Sequence, residues 1–123
     1  MIVLKIKKFF FLYKEKIVAL IFALAGVFLA ISFYTFDPYD SSWFYYNSES
    51  GTIRNSLGAA GANVAGFFFY LFGVSSFLLI PLLFYVSYLF LRNISLRAEW
   101  ERLLALFLLP FVSAAICVLR VRW

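Results

Sequence analysis

Three carboxylates fall within thirteen residues: Asp37, Asp40 and Glu49, the first two in the stretch FDPYDSSW at 36–43. Acidic side chains at short spacing can hold a hard cation. Calcium, however, wants six or more oxygen ligands from a defined loop, and this spacing builds no such loop. As solvated loop carboxylates they need no ion, and no metal is expected. Catalytic chemistry has even less to draw on. The chain has no histidine, and no hydroxyl or thiol is placed beside a base that would activate it. Ser75, Ser76 and Ser87 lie in an apolar run, where hydroxyls commonly bond back to their own helix. Cys117, the single cysteine, also sits among apolar residues and reads as a small hydrophobe. A Gly-Lys-Ser/Thr step is absent from the sequence, so no nucleotide-binding P-loop is formed. These residues predict no catalytic group and no cofactor.

The elements around these residues explain why chemistry is so sparse. Of 123 residues, 65% are hydrophobic and 23% aromatic. An average soluble domain is nearer half apolar. Three uncharged runs carry the excess, at 17–36, 55–91 and 103–119. A bilayer's hydrocarbon core needs roughly 20 helical residues to cross. Only helices and closed barrels satisfy every backbone N–H and C=O inside it, and no stretch alternates with the period of a barrel strand. The fold class is therefore all-α: a helical integral membrane protein of three transmembrane helices, with an interfacial segment between the first two. The first run exceeds the roughly 7–15 apolar residues of a cleaved signal peptide.

Residues 1–16 form a basic juxtamembrane segment, and residues 17–123 the transmembrane anchor domain. The expected spans are about 17–36, 65–91 and 103–119. Lys5, Lys7, Lys8, Lys14 and Lys16 suit anionic headgroups, while Phe9, Phe10, Phe11 and Tyr13 suit the interface. Pro38 disfavours helical geometry at Asp37 and stops the first helix there. Asp37 and Asp40 are costly in lipid and belong in water, and Asp40 can cap or turn the residues that follow. Trp43, Tyr45 and Tyr46 fit the headgroup zone. Together Asp37, Pro38, Asp40 and Trp43 read as a membrane-exit motif, followed by a polar loop at 47–55. The glycine- and alanine-rich residues 56–61 read as lying in or near the interface. Pro81 is the expected kink of the second span and Pro110 that of the third.

Gly58, Ala62 and Gly66 recur at four-residue spacing, with Gly73 near the same face two turns on. On a helix they make a small-residue stripe that lets another backbone approach, within the chain or between subunits. Eight basic residues flank one side of the spans (Lys5, Lys7, Lys8, Lys14, Lys16, Arg92, Arg97 and Arg102) and three the other (Arg54, Arg120 and Arg122). The positive-inside rule puts the first group, and so the N-terminus, in the cytoplasm. This distribution also explains the net charge of +5 without a nucleic-acid-binding stripe. No ionisable residue lies inside the spans, which disfavours a pump or transporter.

The stretches SFYTFDPYDSSW at 32–43 and RNSLGAAGANVAGFFFYLFGVSSFLLIPLLFYVSYLFLR at 54–92 resemble the N-terminal membrane domain of the FtsK/SpoIIIE family of DNA translocases. Asp37, Pro38, Asp40, Ser42 and Trp43 match the family's exit from the first helix. Asn55, Gly58, Gly61 and Ala62 match the start of the second, and Phe72, Gly73, Ser76, Phe77 and Pro81 its middle. The resemblance implies a bacterial inner-membrane anchor at the division septum, usually of four helices. It implies contacts with other cell-division membrane proteins, and a cytoplasmic hexameric motor that moves DNA with ATP during chromosome segregation. The fourth helix, linker and motor have no counterpart in these residues, so a truncation, a fragment or a degenerate paralogue is expected. The sequence-based reading is a membrane-anchoring, oligomerising domain whose partners are lipid, further copies of itself and division proteins, with no direct DNA or nucleotide binding. The alternatives are a small subunit of a transporter or channel, or a standalone division scaffold.

Overall fold

A computed structural model describes residues 1–44 and 52–121. In chain order the elements are helix α1 (Ile2–Tyr34), helix α2 (Gly58–Phe72), a 3₁₀ segment (Gly73–Leu78), helix α3 (Leu79–Leu91) and helix α4 (Trp100–Val121). Among the described residues, three helical stretches are long and apolar enough to cross a membrane: Ile2–Tyr34, Gly58–Leu91 and Trp100–Val121. The protein is an all-α, multi-pass membrane protein.

The first helix starts at Ile2 and carries the basic segment into the span without a break. No glycine or proline occurs before Gly26, and Lys, Leu and Ile tolerate helical geometry. At 1.5 Å per residue α1 is about 50 Å long, well beyond a hydrocarbon core of about 30 Å. It ends at Thr35, whose hydroxyl donates to the Ile31 carbonyl (2.7 Å).

Helicity resumes at Gly58, so most of the expected interfacial segment 56–61 belongs to α2. The helix then loses its α-geometry earlier than proline alone predicts. Gly73 has φ 57° and ψ −140°, a conformation open to glycine and strained for other residues. The 3₁₀ segment follows directly, and Pro81 lies in the first turn of α3. Proline fits there because a first-turn N–H lacks an intrahelical partner in any case. The irregularity expected at Pro81 is thus centred on Gly73–Leu78. Pro110 lies inside α4 and is its buried residue.

Helix α1 packs most extensively on α3 and then on α2, while α4 packs on the 3₁₀ segment and α3. Gly26 leaves room for Phe84 of α3: a Cβ there would lie 3.1 Å from the Phe84 ring. The buried cluster comprises Leu29, Phe33, Ala65 and Leu79. Phe33 stands edge-on to Phe68, Phe69 and Phe77, with ring centroids 5.3–5.8 Å apart, a favourable aromatic geometry. Phe72 meets Phe111 of α4 in the same way at 4.8 Å.

Candidate functional site

The end of α1 and the start of α2 meet in a polar cluster that the chain builds from four short segments. At the C-terminal end of α1 the Ser32 hydroxyl is fully buried and donates to the Gly61 carbonyl of α2 (2.7 Å). In return the Asn55 side-chain amide donates to the Ser32 carbonyl (3.0 Å). Thr35 accepts from the Ser56 N–H (3.2 Å). The two helix ends are therefore joined by reciprocal bonds between side chains and backbone.

Asp40 closes the cluster. One carboxylate oxygen accepts from the Arg54 N–H (2.7 Å) and the other from the Asn55 N–H (2.8 Å). The residue is only 3% exposed. A buried carboxylate is tolerable when its lone pairs are met by such charge-assisted bonds. The expectation that Asp40 stands in water is corrected here. It is buried because two consecutive N–H groups of the returning chain replace its hydration. Asp37 lies above it in a turn, with Asp40 N–H donating to the Asp37 carbonyl (3.0 Å). One Asp37 oxygen accepts from the Tyr39 N–H (2.9 Å) and the other pairs with the Arg54 guanidinium (3.1 Å). Pro38 is exposed between them. The Trp43 N–H donates to the Asn63 side chain of α2 (3.0 Å), while the Trp43 side chain is 87% exposed. Glu49, Tyr45 and Tyr46 lie outside the described residues, as does Arg122.

This clasp closes the chain between Asp40 and Arg54 and sets the start of α2. The Asn55 side-chain oxygen accepts from the Leu57 N–H (3.0 Å), and the Asn55 carbonyl accepts from the Gly58 N–H (2.9 Å). Gly58 then adopts φ 64°. At Gly61 a side chain has no room: an added Cβ would overlap the Asn55 amide and lie 2.6 Å from Leu57 Cβ. No buried side-chain nitrogen or oxygen among the described residues lacks a hydrogen-bond partner. With both Asp40 oxygens so engaged, the cluster's chemistry is that of a structural tie.

The small-residue stripe takes a different phase from the expected one. Ala62 and Gly66 are buried, together with Gly61 and Ala65. Gly58 and Gly73 do not join them. Both have positive φ and open space where a Cβ would stand, so they serve backbone conformation at the two ends of α2. The Ser76 hydroxyl lies 2.8 Å from both the Gly73 carbonyl of its own 3₁₀ segment and the Phe68 carbonyl of α2, so its one proton is shared across the break that ends α2. Ser87 departs from the expectation that it bonds back to its own helix and donates to the Ala19 carbonyl of α1 (2.7 Å). Residues passed over in the sequence (Ser32, Thr35 and Asn63) share one visible signal: each is polar within or beside an apolar run.

A family profile described as the 4TM region of DNA translocase FtsK/SpoIIIE matches residues 13–123. The chain belongs to this family. DNA translocase FtsK of Vibrio vulnificus (strain CMCP6) is 37% identical over 99 residues, which cover 76% of this chain and 10% of that protein. The chain thus corresponds to about a tenth of that relative's length. No solved structure matches it. The matched part of FtsK/SpoIIIE is the membrane region. The clasp explains why the motif residues stand where they do: Asp37 and Asp40 receive the donors of Arg54 and Asn55, and Gly61 makes room for Asn55.

Proposed function

We propose that these residues form the membrane anchor of an FtsK-type DNA translocase of the bacterial inner membrane, with the N-terminus in the cytoplasm. The match to the 4TM region over residues 13–123 carries this reading. The eight-to-three distribution of basic residues supports the orientation, which puts the clasp on the opposite, outer face. Anchoring in cell division and chromosome segregation is the role that the family resemblance implies, and the name of the Vibrio relative supports DNA translocation; the ATP-driven motor would act from outside this region. Labelling of single cysteines tests the orientation. A cysteine at position 43 should react with an impermeant thiol reagent in spheroplasts, and one at position 5 only after lysis, in a Cys117→Ser background. The reverse pattern would overturn the topology. A tagged copy should gather at the septum of dividing cells, and uniform membrane staining would count against the division role.

Self-association belongs to the same proposal, but the small-residue stripe does not provide it, because Ala62 and Gly66 are already buried within one chain. It would use lipid-facing surfaces. Chemical cross-linking in membranes tests this, with a purely monomeric pattern against it. Division-protein contacts would fall at the clasp end, where Trp43 and Tyr39 are exposed. Loss of co-purifying division proteins on Trp43→Ala, with the helices intact, is the expected result.

A further inference from the structure

The end opposite the clasp carries a depression of about 540 Å³, bounded by Glu15 of α1 and by Asn93, Ser95, Leu96 and Arg97 of the α3–α4 loop. A second depression, about 460 Å³, runs from Leu96 and Arg97 along Trp100, Leu103, Leu104 and Phe107 of α4. The two share Leu96 and Arg97, so a hollow edged by charged Glu15 and Arg97 adjoins an apolar groove. Its depth is set by the sequence. Residue 17 begins one uncharged run, residue 91 ends another, and Trp100 is an interfacial anchor type. The hollow therefore lies at headgroup level and the groove in the hydrocarbon.

The hollow contains one acid and one base that do not neutralise each other. Among the described residues Glu15 pairs only with its exposed neighbour Lys14, at 3.7 Å, a weak contact that leaves acceptor capacity free. Arg97 is exposed, and among the described residues no hydrogen bond or ion pair engages it. A guanidinium favours phosphate oxygens, and a carboxylate favours an ammonium that can donate hydrogen bonds. We propose that this site binds a phospholipid whose headgroup carries a primary ammonium, with the phosphate on Arg97, the ammonium on Glu15 and an acyl chain along the α4 groove. Phosphatidylethanolamine has this chemistry. Phosphatidylglycerol lacks the cation, and the choline headgroup cannot donate to Glu15. The surrounding lysines attract anionic lipid without selecting a headgroup, so selectivity separates a built site from general attraction.

The test uses the full chain, delipidated in mild detergent and offered equal amounts of phosphatidylethanolamine, phosphatidylglycerol and phosphatidylcholine with identical acyl chains. Native mass spectrometry counts the retained lipids. Phosphatidylethanolamine should exceed each of the others about threefold, the scale of a partly exposed ion pair. Glu15→Gln should bring phosphatidylethanolamine to parity with phosphatidylcholine. Arg97→Gln should lower retention of all three, and Arg97→Lys should restore it in part. Unchanged helicity by circular dichroism shows that the variants fold. Equal retention by the wild-type chain, a preference for phosphatidylglycerol, or an undiminished ethanolamine preference in Glu15→Gln would overturn the proposal.

Discussion

The two ends of the helical assembly are polar in different ways. At the clasp end Asp40, Asn55 and Ser32 are buried and hold the backbone of a neighbouring segment. At the other end Arg92 and Arg97 are exposed, and the side-chain ties of the loop involve a partly exposed acid: Glu99 accepts from the Tyr85 hydroxyl of α3 (2.9 Å) and from the exposed Arg102 (2.7 Å). Buried groups whose partners are fixed backbone atoms specify geometry, because losing one member leaves the others unsatisfied. Exposed charges interact with water, ions and headgroups, which rearrange when a charge is removed. The clasp end is therefore built to define shape, and the loop end to define which side of a membrane it occupies and what it meets there.

The contrast can be broken first at Asp40. Asp40→Ala leaves the Arg54 and Asn55 N–H groups without acceptors, and should destabilise the folded chain by about 3 kcal/mol, read from denaturant titration in detergent micelles. A loss as small as that of a surface charge would remove the clasp from the account. Gly61→Ala comes next. The added methyl group meets the Asn55 side chain and Leu57, and overpacking of this kind costs about 2 kcal/mol. Gly58→Ala, where the space is open, separates crowding from backbone strain. Ser87→Ala should cost less, about 0.6 kcal/mol, the average for hydrogen bonds between membrane helices. The smallest effect belongs to the loop end. Arg92→Gln with Arg97→Gln should shift stability by less than about 0.5 kcal/mol while weakening the bias toward a cytoplasmic loop, read from the same cysteine labelling. A large stability loss there would show that the two ends do not differ in kind.

Particular residues show how far the sequence could be read. Asp37, Pro38 and Asp40 were legible as the place where the chain leaves the first helix, since proline geometry and charge act locally. The burial of Asp40 was not legible. Its donors lie 14 and 15 residues away, and a loop closure of that length leaves no periodic trace. The small-residue stripe was visible as a spacing, but its phase was not. Gly58 and Gly61 are equally small, and only the fold shows that one turns the backbone while the other makes room for Asn55. Proline was the legible helix-breaker at Pro81, yet Gly73 ends α2 eight residues earlier.

The sequence alone determined that the chain is helical and crosses a membrane. Hydrocarbon offers backbone groups no partner, so long uncharged runs must satisfy their own hydrogen bonds. The tertiary structure alone decided which polar side chains are structural. Ser32, Asp40, Asn55 and Ser87 acquire their roles from carbonyl and N–H groups 14 to 68 residues distant. Those groups come within reach only after the helices have packed.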